Sequence, residues 1–353
     1  MKALYFKHIF NFKKPGGTSR GVLKNKTSWF ILIISDENYG VGECSLIDGL
    51  SPDPINTFES KLKEVCNTIN LGFDEISKNI QKYPSILFGL EMAFISYRNS
   101  NPFNLFKSNF TKGNEFININ GLIWMGEKSF MKSQIKDKIE NGFNCLKIKI
   151  GGINFSEELN ILKSIRSEYT DKDLEIRLDA NGSFKPKTTL NKLNELSKYK
   201  IHSIEQPIQV KQWDEMARIC EKSPVDIALD EELIGIYDIQ EQKKLLSEIK
   251  PHYLIIKPSL IGGLKKSEIW IELAKSYEIK WWVTSALESN VGLNCISQWV
   301  FNKRTSLRQG LGTGMLYSNN IESPLFIEEG NIKYNPDYKW ETKLFDKYIL
   351  NHD

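Results

Sequence analysis

The sequence predicts a parallel α/β barrel joined to an α+β capping domain. Three observations lead there. A β/α rhythm runs through the second half, no glycine-rich phosphate turn follows its first strand, and the first ~110 residues place strands before helices. At 353 residues the chain has room for one large domain or two modest ones.

From the N-terminus, strand patterns occur at 3–10, 29–35 and 40–43. Helical spacing follows at 57–69, 73–80 and 85–99, an order that reads as α+β. Eight strand candidates come next, at 116–124, 145–150, 174–180, 201–207, 225–231, 253–258, 281–287 and 307–312. Helical patterns separate them at 156–169, 187–198, 211–222, 239–249, 265–277 and 291–302. In the first of these, Leu159, Ile161, Leu162 and Ile165 keep helical spacing. Pro224 and Pro251 stand where a helix must stop before a strand. A βαβα order implies a parallel sheet, either open or closed. The turn after Trp124 is Met125-Gly126-Glu127 rather than GxGxxG, which favours the closed barrel. The stretch 325–333 is expected to be a further strand returning to the first domain.

Composition narrows the function. Hydrophobic residues are 41% and charged residues 26%, as in ordinary globular chains. Lys plus Arg total 47 against 44 Asp plus Glu, so no global field draws in nucleic acid or an anionic membrane. The five cysteines form no CxxC, which argues against a disulfide framework and a structural zinc site. The four histidines form no HExxH, which excludes that class of metalloprotease. Charge interrupts the N-terminal MKALYFKHIFNFKK, unlike a secretory leader, and the apolar run 29–34 is too short to span a bilayer. A soluble, cytoplasmic protein is expected, and a homo-oligomer is compatible with the chain.

Polar residues recur where strands end. Lys147 and Lys149 alternate with Ile148 and Ile150. Asp179, Glu205, Asp230 and Lys257 end the next four strands, and the steps from Lys149 onward are 30, 26, 25 and 27 residues, one βα unit each. One such residue alone is more often a helix cap or an edge lysine. Five in register on consecutive strands point to one end of the barrel, where barrel enzymes build their sites. Three converging carboxylates repel unless a cation neutralises them, and all-oxygen ligands suit Mg²⁺. A lysine beside such a cation and another lysine has a lowered pKa, as a general base needs. The combination suits removal of a proton α to a carboxylate.

This order of residues resembles the enolase superfamily, in its muconate lactonizing enzyme subgroup, and within it the o-succinylbenzoate synthases. Arg177 two residues before Asp179 carries the narrower likeness, as do Lys257-Pro258-Ser259-Leu260-Ile261-Gly262-Gly263, Ser285-Ala286-Leu287-Glu288-Ser289-Asn290-Val291-Gly292 and Gly312-Thr313-Gly314. The likeness covers nearly the whole chain, Gly42-Glu43 included. It implies a (β/α)7β barrel over residues 113–321. It implies a capping domain from 1–112, joined by 322–353. It also implies Mg²⁺ on Asp179, Glu205 and Asp230, with Mn²⁺ as a possible substitute. Lys149 is then the base and Lys257 a cation near the ring, for a Mg²⁺-dependent syn-dehydration of a small carboxylate in menaquinone biosynthesis. Lys147 and Arg177 would support the lysines and ligands, and Asn181 and Glu231 would orient the metal ligands. Ser285, Ala286, Gly312, Thr313 and Gly314 would face the substrate, with fixed backbone N–H groups receiving its second carboxylate. Gly-rich 15–21, with Arg20 as a carboxylate contact, and the turn 48–51 are expected as lid loops. Gln206 stands where many relatives carry a second acid.

Racemisation of N-acylamino acids and epimerisation of dipeptides share this scaffold, and muconate cycloisomerisation is a more distant rival. The stretch Gly312-Thr313-Gly314-Met315 lacks the acids that would hold a dipeptide ammonium, which counts against epimerisation. A catalytically silent binding protein would not need intact lysines and carboxylates.

Overall fold

Strand β1 (Lys2–Thr18) pairs antiparallel with β2 (Gly21–Ile34), and β2 pairs with β3 (Tyr39–Ser45). The computed structural model describes residues 1–18 and 21–350. Both faces of β2 are covered from Ser28 to Ile33. Trp29, Ile31 and Ile33 face a core shared with helices α1 (Phe58–Asn67), α2 (Phe73–Lys78) and α3 (Pro84–Tyr97), while Phe30 and Leu32 face the main core. A strand buried on both faces reads as a continuous apolar run, which is why 29–34 lacks alternation. Helix α3 is likewise apolar all round because it is sandwiched. Asp53 accepts from the Ser85 N–H at its first turn, 3.1 Å away.

The parallel sheet follows, preceded by the short β4 (Ile117–Asn118). Its strands are β5 (Gly121–Ile123), β6 (Cys145–Lys149), β7 (Glu175–Asp179), β8 (Ser203–Glu205), β9 (Asp226–Leu229), β10 (Tyr253–Ile256) and β11 (Lys280–Val283), in sequential order. Between and after them come α4 (Lys128–Glu140), α5 (Phe155–Glu168), α6 (Pro186–Ser197), α7 (Trp213–Lys222), α8 (Ile239–Ile249), α9 (Pro258–Ile261), α10 (Leu264–Ser276) and α11 (Asn290–Phe301). Asn154 and Asp238 cap α5 and α8 with their side chains, which explains where those helices start.

The expected eighth strand at 307–312 is not a ladder. It is reduced to two bridges, Ile119 with Gln309 and Gly310 with Thr284, which close the barrel between β5 and β11. Gln309 spends its side chain here as well, its Oε1 accepting from the Val283 N–H at 2.7 Å. The stretch 325–333 also departs from expectation. It forms the hairpin β12 (Leu325–Glu328) and β13 (Asn331–Tyr334), and β13 pairs with β4, not with the β1–β3 sheet. The terminal helix α12 (Lys343–Ile349) is the part that reaches the N-terminal strands. Its Tyr348 ring stacks on Phe6 at 4.1 Å and Phe345 meets Phe30 at 5.6 Å.

The Gly-rich segment expected as a loose lid is a ladder over its described part. After a bulge between Asn11 and Gly16, Gly16 pairs with Leu23 and Gly17 with Val22. The Met125 N–H donates to the Gly17 carbonyl at 3.2 Å, tying this hairpin to the barrel rim. Arg20 lies outside the described residues. All five cysteines are buried and free. Among the described residues no helix is long and apolar enough to cross a membrane.

Candidate active site

Sheet register brings the chemistry together. Lys149 pairs with Asp179 and Asp179 with Glu205 across β6, β7 and β8, while Asp230 lies one residue past the end of β9. The carboxylates of Asp179, Glu205 and Asp230 place oxygens within 4.8 Å of one another, all buried. Lys147 Nζ is 2.9 Å from Asp179 Oδ2 and also bonds Glu205. Lys149 Nζ donates to Asp179 Oδ2 at 2.7 Å and to Asn181 Oδ1 at 2.8 Å. Lys257, at the end of β10, bonds Asp230. Asn181 in turn donates to Glu231 Oε1 at 2.8 Å, so both sit where they orient the charged groups.

Burial and charge pull these groups in different directions. Burial pushes the Glu205 carboxyl up to about 7 and raises Asp230 too. Burial would also raise Asp179, but Lys147, Lys149 and Lys257 together hold it well below the usual carboxylate range. Lys149 is lowered, first by burial and then by the neighbouring cations Lys147 and Lys257. Lys257 goes the other way: burial is the largest single effect and opposes its charge, but Asp230, Glu231 and Asp179 together outweigh it. The acidic trio fits a hard cation: its donors are all oxygen, and the buried Glu205 Oε1 has no hydrogen-bond partner among the described residues.

Above these groups lies a cavity of about 390 Å³, lined by Lys147, Lys149, Lys257, Ser285, Ala286, Gly312 and Thr313, among others. Its apolar rim comes from Val22, Leu23, Ile47 and Leu50 of the N-terminal part and Leu122, Trp124 and Leu287 of the barrel. Asp48 and Leu50, from the expected second lid loop, are on that rim.

Some expected site residues stand elsewhere. Arg177 lies deeper in the barrel, bonded to Glu175 and the Arg308 carbonyl, with its guanidinium 4.1 Å from the Trp282 ring. Gly314 packs against α11, where a Cβ would lie 2.5 Å from Asn290 Oδ1. The Ser285 and Ala286 N–H groups are not open to a substrate. The first donates to the Gly310 carbonyl at 3.0 Å and the second to Glu288 Oε2 at 2.7 Å. Gln206 earns its amide: it donates to Glu232 Oε2 and accepts from the Asp230 and Glu232 N–H groups, a dual role no carboxylate fills.

Glu43 and Glu288 brace the site from behind, and in the sequence only their places in the stretches Gly42-Glu43 and 285–292 hinted at this. Buried Glu43, on β3, accepts from the Ser289 N–H and Oγ and from the Gly292 N–H at the start of α11. Glu288 joins Ala286 to Ser259 Oγ, two residues after Lys257.

A family model described as "Enolase C-terminal domain-like" matches residues 131–336. The o-succinylbenzoate synthase of Desulfotalea psychrophila is 41% identical over 94% of this chain and 98% of its own. The chain belongs to the enolase superfamily, among its o-succinylbenzoate synthases. A crystal structure of MenC from Desulfotalea psychrophila superposes with a TM-score of 0.84 at 37% identity, covering 94% of this chain and 99% of that one. The superfamily fold extends further. A dipeptide epimerase from Enterococcus faecalis, complexed with Mg and a dipeptide, has a TM-score of 0.81 at 16% identity over 95% of this chain and 96% of its own. That second likeness is one of fold, and in this superfamily fold alone does not set the reaction.

Proposed function

We propose that the chain dehydrates 2-succinyl-6-hydroxy-2,4-cyclohexadiene-1-carboxylate to 2-succinylbenzoate, the o-succinylbenzoate synthase reaction of menaquinone biosynthesis. The observation that carries this reading is the 41% identity to the Desulfotalea psychrophila enzyme across 94% of the chain. We assign Mg²⁺ to Asp179, Glu205 and Asp230, with Mn²⁺ as a substitute, on the strength of their all-oxygen cluster. When bound, the ion neutralises negative charge building on the substrate carboxylate as the α-proton leaves.

Lys149 takes that proton at Nζ, and its buried setting favours the neutral amine required. The electrons of the broken C–H bond form the ring double bond and the C–O bond breaks. The same Nζ returns the proton to the departing hydroxyl on the same face, so water leaves by syn elimination. Lys257, held as a cation by Asp230, balances charge near the ring. Lys147 steadies Asp179 and Glu205 and keeps positive charge beside Lys149. This elimination needs a base on one face only, whereas racemisation needs a base on each face. In this reading residues 113–321 supply the catalytic groups and 1–112 complete the rim that excludes water.

The purified protein with Mg²⁺ and the cyclohexadiene substrate should form 2-succinylbenzoate, followed by NMR. The same spectra follow α-deuterium exchange of N-succinyl amino acids. Fast exchange without dehydration would overturn the proposal in favour of racemisation.

A further inference from the structure

The acidic trio stands at the ends of β7 to β9, and Lys149 and Lys257 flank it at the ends of β6 and β10. A substrate whose reacting carboxylate lies on that side must extend its remaining groups towards the opposite arc of the lumen. That arc is β5, the 309–310 seam and β11.

Two buried polar atoms in this arc have no hydrogen-bond partner among the described residues: Asn120 Oδ1 and Thr284 Oγ1. Their residues are 4% and 8% exposed, and both line the cavity. They stand on either side of the seam. The Asn120 N–H donates to the Gln309 carbonyl at 3.0 Å, and Thr284 forms the bridge with Gly310. Between them Gly310 has no side chain, and a Cβ there would come 2.5 Å from Thr284 Oγ1. Gly310 thus leaves the room that the Thr284 side chain takes up beside the cavity. By contrast, the nearby hydroxyls of Ser285 and Thr313 bond each other at 2.7 Å. Leaving a buried polar atom unpaired is costly, and a ligand offering a hydrogen bond removes that cost.

We propose that Asn120 and Thr284 form a neutral polar floor that receives the oxygen-bearing arm of the substrate and so determine specificity. This rests on the function proposed above, in which the arm is the succinyl ketone and carboxylate. Thr284 donates its O–H to an arm oxygen. Asn120 contributes an N–H after an amide rotation, or accepts from a water held by the arm.

The test compares Thr284→Val and Asn120→Leu with wild type, using Mg²⁺ throughout. Affinities for 2-succinylbenzoate and for benzoate, which lacks the arm, are measured by calorimetry alongside dehydration kinetics. Each variant should weaken 2-succinylbenzoate binding and raise KM about tenfold or more, leaving benzoate binding unchanged. Thr284→Ser, which keeps the hydroxyl, should restore wild-type values, and this pair decides the matter if Asn120→Leu does not fold. Unchanged 2-succinylbenzoate binding in the variants, or an equal loss for benzoate, would overturn the floor. Wild-type binding of 2-succinylbenzoate without any dehydration would count against the proposed reaction and not against the floor.

Discussion

Glu43→Gln offers a sharp check on how the capping strands hold the catalytic loop. The carboxylate is fully buried, and Ser28 Oγ, Ser289 N–H, Ser289 Oγ and Gly292 N–H all donate to it. Lys26, also buried, has its Nζ 3.9 Å away. A glutamine keeps the shape but turns one oxygen into a donor. It then faces N–H and O–H groups and loses about two charge-assisted bonds, each worth roughly 1.5–3 kcal/mol. A loss of about 4 kcal/mol follows as a central value. Unfolding entropy near 2.1 cal/mol/K per residue gives about 0.7 kcal/mol/K for 353 residues melting as one unit. The melting temperature should therefore fall by about 5 °C in calorimetry. The loss should couple to Ser289→Ala in a double-mutant cycle, since the two residues share bonds. A fall of less than 1 °C, or strict additivity with Ser289→Ala, would refute the bracing role.

Lys149→Ala should lose about 10²–10⁴-fold in kcat with an unchanged circular dichroism spectrum, while Lys257→Ala should lose about 10²-fold through kcat rather than KM. Near-wild-type turnover in either would reject the role given to it. Mg²⁺ should raise the melting temperature of the wild type and not of Asp179→Asn, because an ion that binds only the folded state stabilises it. Equal shifts in both proteins would remove Asp179 from the ligand set. Burial raises Asp53 from 3.8 to about 7, so the folded state holds its proton more tightly than the unfolded chain. Stability from this group is complete below pH 3.8, declines as pH rises, and is lost above about 7. Asp53→Asn should flatten that decline while keeping the acceptor for Ser85, and a pH profile of melting unchanged by the substitution would contradict it.

Local pattern decided the βα rhythm, because each strand and helix imposes its own period on the residues that build it. It also located Lys149, Asp179, Glu205, Asp230 and Lys257, since one residue per βα unit at a strand end must lie on one rim of the barrel. Period alone could not separate Arg177 from Asp179. Both project inward from β7, and only packing against Trp282 and Glu175 sends Arg177 downward. The seam at 309–310 looked like a strand because its residues are strand-like, yet closure needs only a bridge to each neighbour. Contacts between distant segments were invisible for a different reason. Glu43 meets Ser289 across 246 positions, and the Val22 and Leu23 rim reaches the barrel only once β2 is docked on it. The sequence by itself thus determined the barrel, its acidic trio and its lysines, all of which repeat at the spacing of one unit. Tertiary structure decided the pocket's walls and its neutral floor, because these arise where chain segments with no shared period are brought face to face.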